Sequence, residues 1–137
     1  MNTIIGLYES GDKGKTSTLN MLIYMLEMAT IGTPANHNIL DNRQAVFNIN
    51  NLTVGIGTGG DDWGSVDGNC NFFDANNCDI VFSATRKKSD SGSVQRLEQY
   101  ATQYGLSVTW IRKDITNIPQ NENNVNLMQA LDLFNMI

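Results

Sequence analysis

A chain of 137 residues with a net charge of −5, two cysteines and one histidine is the size of one domain, and residues 1–137 are read as a single unit. A pI near 4.6 leaves no basic face for a broad nucleic-acid surface, and Cys70, Cys78 and His37 are too few for a zinc site. The longest apolar stretch, Leu19 to Ala29, is broken by Asn20 and Glu27; no membrane contact and no targeting segment are expected, and the protein is read as cytoplasmic with reduced thiols.

The chain begins with Ile4-Ile5 and Leu7-Tyr8, which read as a buried strand. A turn bearing Gly11 and Gly14 follows, and then Lys15-Thr16 opens a helix over 15–29, with Leu19, Leu22, Ile23 and Leu26 at helical spacing. Strand, glycine turn and a helix starting Lys-Thr make a phosphate-binding loop. Its backbone N–H groups and the helix N-terminus favour an anion. Ser10, Gly11, Asp12, Lys13, Gly14, Lys15, Thr16 and Ser17 are the expected phosphate-binding set. Lys15 supplies a mobile positive charge and is expected to be exposed in the empty loop. Thr16 supplies a hydroxyl for Mg²⁺, a hard cation. The full pattern has glycine five positions before Gly14; this chain has Glu9 there, a carboxylate expected to repel phosphate.

Gly32 and Pro34 close the helix, and 30–43 reads as an irregular connection. Ala45–Ile49 and Leu52–Ile56 around Asn50-Asn51 form a hairpin, which runs into Gly57-Thr58-Gly59-Gly60-Asp61-Asp62. The asparagine-rich stretch 69–77 between the cysteines is read as a turn. Asp79–Ala84 is a near-continuous apolar strand suited to a parallel sheet, and Arg86-Lys87-Lys88 follows. A helix over 93–104 buries Val94, Leu97, Ala101 and Tyr104, a strand spans 106–111, and Arg112-Lys113-Asp114 follows it. After Pro119 a last helix is expected to bury Leu127, Met128, Leu131 and Phe134. Strands alternating with helices predict a doubly wound, mostly parallel α/β sheet with one antiparallel edge hairpin. Ligands of such sheets bind beyond the carboxyl ends of the strands.

Gly14-Lys15-Thr16, set between strand and helix, resembles the P-loop NTPases. The resemblance implies a bound nucleotide with Mg²⁺ and a second carboxylate near a strand end. Asp61 and Asp62 are the candidates: Asp61 as a metal ligand, and Asp62 as a catalytic residue beside Lys15. Arg86 would clamp the phosphates. The aspartate that small GTPases carry at the end of their hairpin falls at Gly57 here, and Asp61-Asp62-Trp63-Gly64 repeats the D-x-x-G spelling four residues late. Their guanine-reading N-K-x-D has no clean counterpart, so ATP is favoured over GTP. A branch of ATPases with a signature lysine early in the loop has no match, since Ser10 stands there. The expected function is a small Mg²⁺-dependent nucleotide-binding protein with NTPase or switch activity, acting with a second copy or a protein partner. The alternative is a catalytically inactive interaction module on the same fold.

Overall fold

The computed structural model describes residues 1–11, 13–35, 38–87 and 91–137; Asp12, His37 and Lys88 lie outside them. The described elements are β1 (Thr3–Tyr8), α1 (Lys15–Thr30), β2 (Gln44–Ile49), β3 (Leu52–Gly57), α2 (Trp63–Ala75), β4 (Ile80–Thr85), α3 (Gly92–Gln103), β5 (Thr109–Arg112) and α4 (Glu122–Phe134). A short 3-10 turn, Pro119–Asn121, leads into α4.

The strands form one mixed sheet in the order β2-β3-β4-β1-β5. β3, β4, β1 and β5 run parallel, and β2 pairs antiparallel with β3 at the edge. All six residues of β4 are buried, as a central strand covered on both faces requires. β2 alternates instead: Ala45 and Phe47 turn inward while Val46 and Asn48 face solvent. Asn50 and Asn51 hold positive φ of 53° and 63°, the geometry of a two-residue hairpin turn whose twist suits the strands it joins.

Successive strand residues point to opposite faces, so β1 feeds two cores. Ile5 and Leu7 pack with Leu19, Leu22, Ile23 and Leu26 of α1 and with Ala130 and Leu133 of α4. Ile4 packs with Val66, Cys70 and Phe73 of α2 and with Leu97, Tyr100 and Ala101 of α3. Each fully buried leucine contributes about 2 kcal/mol.

Three expectations are corrected. Residues 69–77 are not one turn: α2 runs through to Ala75, because Asp62 caps its start and Val66, Cys70 and Phe73 share a buried stripe. Both cysteines are free, in line with the expected reduced thiols, and buried; burial pushes Cys70 up to about 12 and Cys78 up to about 11. In α3, Tyr100 is fully buried while Tyr104 is largely exposed, with both hydroxyls donating to Asp74. The rotation of α4 also differs. Leu127, Met128 and Leu131 are exposed, Phe134 is partly buried, and the inward face carries Asn126, Gln129, Ala130 and Leu133. Polar contacts from Gln129, described below, help fix that rotation.

Candidate functional site

Because four strands run parallel, their carboxyl ends share one rim, with Tyr8 level with Thr85 and with Arg112. The loop from Glu9 to Gly14 leaves this rim and turns into α1. Gly14 makes the turn at φ 85°, and no side chain among the described residues caps the helix. The positive φ favours glycine, and a Cβ on Gly14 would stand 2.9 Å from Asn126 Oδ1, so any larger residue would also have to push that amide aside. Lys13, Gly14, Lys15, Thr16 and Ser17 line a cleft of about 660 Å³, closed on its far sides by Thr58, Gly60 and Asp61 and by Asn123 and Asn126 of α4.

Lys15 is not exposed as expected. It is 6% accessible, and its Nζ donates to the carbonyls of Glu9, at 2.7 Å, and Ser10, at 3.1 Å. A buried ammonium is costly unless it is hydrogen-bonded, and these two loop carbonyls serve it. Glu9 is equally enclosed. Its Oε1 accepts from Ser10 N–H at 2.9 Å and its Oε2 from Arg112 Nε at 2.8 Å. The Ser10 N–H and then Arg112 hold its carboxyl below the ordinary value of 4.5.

Thr16 Oγ1 lies 3.3 Å from both Asn42 Oδ1 and the Thr58 carbonyl, donating to either. Asn42 reaches this place because the connection after α1 is tied down on both sides. Asn20, fully buried in α1, donates to the carbonyls of Ile39 and Asp41. Arg43 N–H donates to Thr58 Oγ1 at 2.7 Å, and Thr58 N–H donates back to the Arg43 carbonyl at 3.0 Å. On the far wall Asn69 of α2 donates to the Gly59 carbonyl and to Ser83 Oγ. Gly60 lies against β4 so tightly that a Cβ there would stand 2.1 Å from the Ala84 carbonyl oxygen.

The two candidate carboxylates separate. Asp61 lines the cleft. Asp62 caps α2, its Oδ1 accepting from Ser65 N–H at 2.7 Å, and that bond holds its carboxyl below the ordinary range. Arg86 leaves the end of β4 and brings its guanidinium within 3.6 Å of where a Cβ on Gly11 would be, beside the loop rather than in the cleft lining. Arg112 and Lys113 diverge as well. Arg112 turns to Glu9, whereas Lys113 is almost wholly buried, donates to the Asp114 carbonyl, and is held below the ordinary lysine range by desolvation. Gln129 of α4 fixes this segment by donating to the Arg112 carbonyl and accepting from Asp114 N–H, each at 2.8 Å.

Across Gly14 a smaller cleft of about 180 Å³ is lined by Asp114, Ile115, Thr116 and Asn117 and by Glu122, Val125 and Asn126 of α4. Lys13, Gly14, Glu122 and Asn126 border both clefts. Among the described residues no group of three or more histidine, cysteine or acidic side chains could hold a metal by itself. Mg²⁺ with a nucleotide needs fewer, one or two protein oxygens beside those of phosphate, and Thr16 Oγ1, Asn42 Oδ1 and Asp61 offer a hard-oxygen set of that kind. Asn20, Asn42, Asn126 and Gln129 were not anticipated: in a chain this rich in asparagine, an amide at the site carries no distinguishing local pattern. No helix among the described residues is long and apolar enough to cross a membrane.

Fold and site together define an α/β protein with a lysine-bearing loop and two clefts at the rim of its parallel strands. No protein-family model, curated protein or solved structure matches the chain.

Proposed function

We propose that this is a nucleotide-binding protein of the P-loop kind on a doubly wound sheet, Mg²⁺-dependent, with NTPase or switch activity and a preference for ATP over GTP. The observation that carries this reading is the left-handed Gly14 turn, which opens α1 with Lys15 and Thr16 onto the larger cleft. The β- and γ-phosphates would lie against the loop's backbone N–H groups and the start of α1. Lys15 would exchange its two carbonyl partners for phosphate oxygens, a stronger charge-assisted pairing. Thr16 Oγ1, with Asn42 or Asp61, would hold Mg²⁺, which neutralises phosphate charge when bound. Arg86, beside Gly11, would add a cation at the loop's outer edge.

The smaller cleft suits the uncharged half of the ligand. Asp114, which lines this cleft and not the larger one, would disfavour phosphate there by like charge and could accept hydrogen bonds from ribose hydroxyls or base amines. Ile115 and Val125 offer apolar surface to the ring faces.

A second reading, a non-catalytic interaction module, draws on two observations. Asp62 is engaged in capping α2, which leaves Asp61 alone in the cleft lining as an acid of this segment. Leu127, Met128 and Leu131 are exposed along α4. Calorimetric titration with ATP, GTP and their diphosphates, with and without Mg²⁺, followed by phosphate-release assays, separates the readings. Mg²⁺-dependent triphosphate binding with turnover supports the first. Nucleotide binding without turnover favours a switch or module, and no binding of any nucleotide removes the first reading.

A further inference from the structure

Glu9 stands where the phosphate-loop pattern has glycine, and it is enclosed rather than displayed, with only 6% of its surface accessible. Three of its atoms are engaged with the loop and its surroundings. Oε1 takes the N–H of Ser10, Oε2 takes Nε of Arg112 on β5, and the main-chain carbonyl takes Nζ of Lys15. We propose that Glu9 is a positioning residue, a strut that ties the start of the phosphate loop to the end of β5 and holds the seat from which Lys15 moves to the ligand.

The argument is physical. Glycine at this position would leave the first peptides of the loop free to rotate, and ordering them would be charged against binding. The carboxylate removes that freedom by fixing Ser10 N–H on one oxygen and the neighbouring strand on the other. Its own charge does not confront an incoming phosphate unopposed, because Arg112 pairs with it at 2.8 Å. Arg112 is itself two-thirds exposed, so the pair is valuable for its geometry more than for the ion-pair energy, which water screens. Glu9 therefore need not lower affinity as a bare negative charge at this position would.

The affinity arm of the test rests on the nucleotide reading; a spectroscopic arm does not. In the first, the Kd for Mg²⁺–ATP and Mg²⁺–GTP is measured for Glu9→Gly, Glu9→Gln, Arg112→Ala, Arg112→Lys and the Glu9→Gly/Arg112→Ala double variant. Glu9→Gly, which restores the glycine, is expected to weaken binding about tenfold. Glu9→Gln, which keeps an acceptor for Ser10 N–H, is expected to lose less, and Arg112→Lys to lose less than Arg112→Ala. The double variant is expected to bind no worse than Glu9→Gly alone, since coupled residues are not additive. Binding by Glu9→Gly that equals or exceeds wild type would overturn the proposal. In the second arm, NMR follows the Ser10 amide against pH. It is expected to report a carboxyl titrating below 4.5, with the midpoint rising in Arg112→Ala and returning toward wild type in Arg112→Lys. A Ser10 amide blind to that titration would overturn the strut even if wild type bound no nucleotide, whereas absent nucleotide binding with an intact titration would overturn only the function proposed above.

Discussion

Asn126 Oδ1 stands 2.9 Å from the point that a Cβ on Gly14 would occupy, so α4 is packed directly on the turn that opens α1. Residues 112 positions apart in sequence thus share one structural constraint, and Gly14 meets it while holding φ at 85°. Gly14→Ala should destabilise the protein by about 1–2 kcal/mol from the left-handed backbone alone, with the collision added. Asn126→Ala in the same chain should relieve the collision and leave the backbone strain. Denaturant unfolding of the two single variants and the double variant measures this; equal losses in Gly14→Ala with and without Asn126 would show that the contact is slack.

Lys15→Ala should do two things. It should abolish nucleotide binding, and it should cost about 1–2 kcal/mol of stability by removing the hydrogen bonds to the Glu9 and Ser10 carbonyls. A calorimetric titration and a melting curve read the two effects separately. A variant that keeps wild-type nucleotide affinity would remove the phosphate role.

Thr16→Ala should weaken nucleotide binding in Mg²⁺ and leave it nearly unchanged in EDTA, because the hydroxyl is assigned to the metal and not to phosphate. Equal losses under both conditions would place the metal elsewhere.

Asp61 and Asp62 should respond differently to neutralisation. Asp61→Asn, in the cleft, should slow any turnover roughly a hundredfold while binding persists. Asp62→Asn should change neither binding nor turnover, since asparagine caps a helix about as well as aspartate. Asp62→Ala should loosen the start of α2. The cap's pH dependence has a definite sign. The native carboxyl lies below its ordinary 3.8, so its contribution is fully present above that value and fades as pH falls through the lowered native pKa. Matching turnover in wild type and Asp61→Asn would move the metal carboxylate away from this segment.

Cys70 and Cys78 should resist alkylation in the native protein at pH 8, because burial holds their thiols near 12 and 11 and the thiolate is the reacting form. Both should label rapidly in denaturant. Rapid native labelling of either would mean that α2 opens readily from the sheet.

Local chemistry was legible wherever a residue's role depends on its chain neighbours. The alternation at Ala45 and Phe47, the paired asparagines at the hairpin turn and the near-continuous apolar run of β4 all read directly from spacing. So did the Gly14-Lys15-Thr16 turn and the stripe of α1. The interior of α2 was missed because four asparagines between 69 and 77 spell a turn, while its cap and its stripe of Val66, Cys70 and Phe73 spell a helix, and burial decided between them. The face of α4 was misread because Leu127, Met128 and Leu131 are more apolar than Asn126 and Gln129, which turn inward.

The sequence by itself determined an alternating α/β chain, an edge hairpin, and a glycine-lysine-threonine turn between the first strand and helix, since each rests on interactions within about a dozen residues. Only the tertiary structure decided that Glu9 turns to Arg112, that Lys15 is drawn onto loop carbonyls, that Asp61 lines the cleft while Asp62 caps a helix, and that Asn42 and Asn126 close around the turn. Those outcomes depend on which strands are neighbours. Once β5 lies beside β1 and α4 crosses the turn, buried charges and amides must take whichever partners that packing brings within hydrogen-bond reach, because leaving them unpaired away from water costs more than any local preference can return.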